Sequence, residues 1–153
     1  MNERPSKNSR SHLPFFFFPL LYLIGATGYY ALEVAFRGHS HWSMAICGGL
    51  CLCLIFLANR RLLRLPLLLR ALVGALIITA VEFAAGCLLN LHLGWHVWDY
   101  SSLPYNLWGQ IAPLYSALWF ALSIPICLSF SLVEKAKLRR MHANRQTKSR
   151  FPS

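Results

Sequence analysis

Residues 67–92 read LLLRALVGALIITAVEFAAGCLLNLH, a run in which Arg70 and Glu82 are the two strongly charged side chains. Runs of about 18 to 25 predominantly apolar residues are long enough to cross a bilayer as a helix. Glu82 then stands about 22 Å along the helix from Leu67, at ~1.5 Å per residue. An ionised carboxylate in hydrocarbon costs several kcal/mol, by estimates from about 3 upward, so a membrane chain places one where a partner or a polar cavity offsets that cost.

Working outward from this run, the same criterion predicts three more spans, from about Leu13 to Phe36, about Trp42 to Asn59 and about Leu107 to Val133. Each must be helical, because a lone span has to satisfy its own backbone hydrogen bonds. The first run follows Arg4, Lys7 and Arg10, as a signal peptide would. Its apolar part is about twice the usual length and no small-x-small cleavage site follows, so it reads as a retained span. The expected fold is an all-α, four-helix transmembrane bundle over 13–133, between basic tails at 1–12 and 134–153.

Composition points the same way. The chain has 153 residues, 56% hydrophobic and 13% charged, with a mean hydropathy of +0.45. That is too apolar for a small soluble domain with one core. The net charge of +10 does not indicate nucleic acid. The fifteen Lys and Arg gather in the tails and one linker and form no basic face interleaved with exposed aromatics. Cys47, Cys51, Cys53, Cys87 and Cys127 all fall in apolar runs, where they read as packing residues and not as loop staples.

The basic residues also set an orientation. Arg60, Arg61 and Arg64 fill the second linker, with Arg70 just inside the next helix, and Lys135, Lys137, Arg139, Arg140, Arg145, Lys148 and Arg150 follow the last span. The first and third linkers hold Arg37 alone. Positive residues near spans stay in the cytoplasm, so both termini and the second linker are expected inside. The basic tails are expected to attract anionic lipids by about 1 kcal/mol per nearby charge.

Polar residues share helix faces. Spacing of four stacks Gly25, Tyr29, Glu33 and Arg37 in one stripe, where Glu33 and Arg37 can pair. Thr79, Glu82, Gly86 and Asn90 share another. The small residues permit close helix approach, so the two faces are expected to look into the bundle. Gln110, Pro113, Ser116, Ser123 and Cys127 lie near one side of the last span, with Pro113 and Pro125 expected to bend it.

The outer linkers carry His39, His41, His92, His96 and Asp99, residue types that could ligate a divalent metal. The competing reading is of interfacial histidines bonded to loop backbone or water. Trp42, Trp95, Trp98, Tyr100, Tyr105 and Trp108 read mostly as an interfacial aromatic belt. Asp99, Tyr100 and Ser101, then Pro104 and Asn106, read as an ordered turn that could cap the outer ends of Glu33 and Glu82.

The block Trp98, Asp99, Tyr100, Ser101, followed by Pro104, Asn106, Gly109, Gln110 and Ile111, resembles the signature of a bacterial membrane family labelled "Putative ABC-transporter type IV". Gly28 with Tyr29, Leu32 with Glu33, Arg37 with Gly38 and Ser40, and the later Glu82, Gly86 and Asn90 resemble that family's glutamate on each of two helices. The resemblance covers about Gly25 to Trp119. It implies a shared polar set of Glu33, Arg37, Glu82, Asn90, Asp99, Asn106 and Gln110, and a place in a bacterial inner membrane. No glycine-rich phosphate loop ending in Lys-Ser or Lys-Thr occurs in this sequence, so the polypeptide given carries no P-loop ATPase.

The leading expectation is a transporter-like or permease-like subunit in which Glu33, Glu82 and Asp99 form an outward-facing polar pocket with Arg37 as counter-charge. Four helices are few for a pathway, which implies a homo-oligomer or partner membrane subunits. The alternatives are a structural or assembly subunit and a membrane-embedded, metal-dependent enzyme. No cofactor is expected beyond that metal.

Overall fold

The computed structural model describes the backbone of residues 16–150 and the side chains of 16–136, 139 and 140. The expected tail at 1–12, the expected start of the first span at Leu13 and the last residues, 151–153, lie outside the described residues. Among the described residues, four helices are long and apolar enough to cross a membrane. They are α1 (Phe17–Arg37), α2 (Trp42–Arg61), α3 (Leu67–Gly86), which continues as a π-helical turn over Cys87–His92, and α4 (Pro113–Arg150). Only 17% of the apolar window of α1 and 22% of that of α4 is buried inside the protein. Leu20, Leu76, Leu118 and Leu132 accordingly point outward, where lipid takes the place of a core.

Local chemistry sets the ends of these rods. Gly38 closes α1 with φ of 76° and donates its N–H to the Val34 carbonyl, a left-handed cap that a side chain with a Cβ would strain. His41 is extended, and its ring Nδ1 accepts from the Ser43 N–H to cap α2. The last span differs from its expected form. Residues 107–112 belong to a loop, joined by one bridge between Leu107 and Ile111, and Pro113 is the first residue of α4. There its missing N–H costs nothing, so Pro113 starts the helix where a bend was expected, while Pro125 alone lies inside it. The helix also runs on to Arg150, about 57 Å in all at ~1.5 Å per residue, although its apolar part ends at Ala136.

The helices pair as two hairpins. Between α1 and α2 a Cβ on Gly25 would come 2.6 Å from the Gly48 carbonyl oxygen, so the backbones touch only because both residues are glycine. Helices α3 and α4 meet at Gly74 against Ser123 and through Thr79, whose hydroxyl donates to Ser116 at 3.2 Å. Helix α2 contacts both α3 and α4 and joins the hairpins through a core of Cys51, Ile55, Ala75, Ile78, Trp119 and Cys127. Helix α1 makes no close backbone approach to α3 or α4 among the described residues, which leaves a cleft between α1 and α4.

Candidate functional site

The loop between the π-helical turn and α4 is built from hydrogen bonds, not from regular structure. Asn90, 5% exposed, donates from Nδ2 to the Trp98 carbonyl at 2.9 Å and to Gln110 Oε1 at 2.8 Å, and its Oδ1 accepts from the Val97 N–H at 2.7 Å. The Trp98 indole N–H donates to the Gln110 carbonyl, and Gln110 Nε2 donates to the Trp108 carbonyl. Asn106 donates to the Ser101 and Leu103 carbonyls and accepts from the Gly109 N–H. A Cβ on Gly86 would lie 2.5 Å from Gln110 Oε1, so glycine on α3 is what lets this loop seat directly on the helix. Gly94 and Gly109, and also His96, Tyr105 and Trp108, adopt positive φ to make its tight turns.

This cap delivers Tyr100 to the bundle. Its backbone N–H is held by the Gly109 carbonyl, its ring stacks on Tyr115 with centroids 4.3 Å apart, and its hydroxyl donates to Glu82 Oε1 at 3.0 Å. Burial, with the Glu82 carboxylate beside it, pushes the Tyr100 phenol up, so it stays a donor at neutral pH. Trp119 on α4 donates its indole N–H to Glu82 Oε2 at 2.8 Å. Each oxygen of this buried carboxylate therefore has a donor.

Glu33 is bound differently. Arg37 Nη1 donates to its Oε1 at 2.7 Å, one helical turn away as the spacing predicts, and Ser40 donates to its Oε2 at 2.5 Å. Arg37 also reaches the Val97 carbonyl at 3.5 Å, which links α1 to the cap.

Two cavities occupy the cleft between α1 and α4. The one nearer the cap, about 440 Å³, is lined by Glu33, Arg37, Tyr100 and Tyr115 among others. The deeper one, about 310 Å³, has Glu82, Cys47 and Cys51 in its wall. Tyr29, Leu32, Trp119 and Leu122 line both, so the cavities adjoin. Their walls are mostly apolar and aromatic, with one ion pair and one carboxylate.

The expected polar set thus divides. Glu33, Arg37 and Glu82 reach the cleft, whereas Asn90, Asn106 and Gln110 hold the cap together and line neither cavity. Asp99 stands apart from both glutamates. It is exposed and accepts from the Ser101 N–H and hydroxyl, both at 2.8 Å, and these two bonds hold its carboxyl below the usual value. Sequence reasoning missed Trp119 and took Tyr100 for an interfacial aromatic. A tryptophan far inside a span, away from either membrane surface, was the available signal for the first.

The four histidines do not converge. His41 is spent on the α2 cap and packs against Trp42 and Trp95. Among the described residues no group of three or more His, Cys, Asp or Glu side chains lies close enough to hold a metal ion, so His39, His41, His92 and His96 present no assembled donor set.

In comparison with known proteins, the family model described as "Putative ABC-transporter type IV" matches residues 17–148. No curated relative and no solved structure matches the chain.

Proposed function

Because the chain belongs to that ABC-transporter type IV family, we propose that it is a transporter-like or permease-like membrane subunit whose solute enters the cleft between α1 and α4. The observation that supports this reading is that both glutamates, though buried and hydrogen-bonded, stand in the walls of cavities. With Glu33 paired to Arg37, Glu82 is the acid in the cleft wall that meets no basic side chain among the described residues, and it stands beside aromatic walls. An acid in an apolar, aromatic cavity has the chemistry to receive a cation that carries apolar groups. The crowding of Lys and Arg around the α2–α3 turn and the last helix supports an outer position for the cap in this reading.

Reconstitution into proteoliposomes tests it with tetraphenylphosphonium as probe. Wild-type protein is expected to take up the probe faster than protein-free vesicles, and Glu82→Gln to lower the rate about tenfold, the effect of removing one charge-assisted contact. Uptake that depends on neither the protein nor Glu82 refutes the reading. The structural alternative draws on a separate observation, the closed hydrogen-bond network of Asn90, Trp98 and Gln110. On that reading Glu82→Gln alters stability and leaves flux untouched.

A further inference from the structure

At the end of the bundle opposite the cap, α2, α3 and α4 bury a second polar cluster. Arg70 Nη1 donates to Asn59 Oδ1 at 2.9 Å and to Ser131 Oγ at 2.6 Å, and Ser131 in turn donates to the Cys127 carbonyl. Asn59 is 1% exposed. Because its oxygen must face the arginine, its Nδ2 points elsewhere, and no partner among the described residues meets it. Arg70 Nε is also buried without an acceptor. Two sets of donors are therefore held out of water with no acceptor among the described residues.

Charge is unbalanced in the same place. Four arginines, Arg60, Arg61, Arg64 and Arg70, lie at this end. Glu134 pairs with Arg60 at 3.2 Å, and no described carboxylate pairs with Arg70. A lone water could accept a hydrogen bond here, but it carries no charge to balance the arginine. The start of α3 adds to the positive field. Pro66 precedes it and no side chain caps it, so its dipole also favours an anion.

We propose that Arg70 and Asn59 form a binding site for the phosphate of an anionic phospholipid at the α2–α3 end of the bundle. The orphaned donors call for an acceptor with several oxygens, and the excess arginine calls for an anion; a phosphodiester meets both. Arg70 is only half-buried, so a phosphate oxygen can approach its guanidinium from the open side. The surroundings select a lipid over a soluble phosphate. Leu65, Leu68 and Leu69 are exposed around the turn, where acyl chains would lie. This site is distinct from the attraction expected of the basic tails, and it does not depend on the cleft carrying a solute.

The test uses the full chain in detergent, with unfolding temperature and lipid retention in native mass spectrometry read against added phosphatidylglycerol, phosphatidylcholine or inorganic phosphate. Phosphatidylglycerol is expected to raise the unfolding temperature while the other two do not. Arg70→Gln and, separately, Arg64→Gln on the exposed turn should each lower the preference for phosphatidylglycerol over phosphatidylcholine by about fivefold, the effect of one basic residue near an anionic headgroup. Arg139→Gln, on the last helix beyond the apolar part, should leave it unchanged. A preference that survives both of the first two variants, or that Arg139→Gln lowers as much as they do, overturns the site. So does an equal shift with inorganic phosphate. Should Arg70→Gln not fold, Asn59→Leu decides the outcome: it should lower the preference for phosphatidylglycerol, and a preference that it leaves unchanged overturns the site.

Discussion

The two ends of the bundle each bury an asparagine, and they treat it in opposite ways. Asn90 under the cap uses both its amide donor and its carbonyl acceptor within the protein, closing a ring with Val97, Trp98 and Gln110. Asn59, at the α2–α3 end, accepts from Arg70, and its own N–H groups meet no acceptor among the described residues. A satisfied network in low dielectric holds its members in one arrangement, whereas an unsatisfied one carries a penalty that a partner could remove. The cap is thus a fitting that positions Tyr100 on Glu82, and the opposite end is a socket.

Substitution of each asparagine by leucine is the sharpest way to break this contrast. Asn90→Leu strands the Val97 N–H and Gln110 Oε1 in a buried site, and should cost roughly 3 kcal/mol or more in a reversible unfolding measurement, at about 1–3 kcal/mol per stranded group. Asn59→Leu should lie within about 1 kcal/mol of wild type in the absence of anionic lipid, because the acceptor lost to Arg70 is offset by removal of unpaired buried donors. Equal losses at the two positions would erase the distinction.

A smaller effect is expected at Asp99, on the exposed side of the cap. Its carboxyl is held down by the Ser101 N–H and hydroxyl. A folded-state value below the unfolded one, near 3.9, adds stability at higher pH and loses it as pH falls through the folded-state value. Unfolding temperatures between about pH 3 and 7 should therefore decline more steeply on acidification in wild type than in Asp99→Asn. Parallel curves would show that these bonds contribute nothing to the cap's stability.

How much of this was readable in the sequence depended on range. The Glu33–Arg37 pair could be read directly, since residues four apart on a helix are neighbours by geometry. The bond between Glu82 and Trp119 spans 37 positions and joins different helices, so no local period reports it. Asp99 illustrates the reverse error. Sequence proximity to the cap implied membership of a pocket with Glu33 and Glu82, yet an aspartate two residues before a serine satisfies itself locally and faces out. Pro113 was read as a kink because the apolar run started near Leu107; the tight turns at Tyr105, Trp108 and Gly109 delay the helix until Pro113 can begin it.

The amino-acid order by itself determined four membrane-spanning helices and their approximate extents, because bilayer thickness and the need for internal backbone hydrogen bonding leave an apolar run almost no other structure. Only the tertiary structure decided that α1 stands off from α4, that two glutamates open onto the cleft between them, and that one buried asparagine is satisfied while the other is not. Those outcomes depend on where glycines let backbones meet and on which donors arrive from distant helices. Such contacts are set by packing between elements, which hydropathy along one chain does not encode.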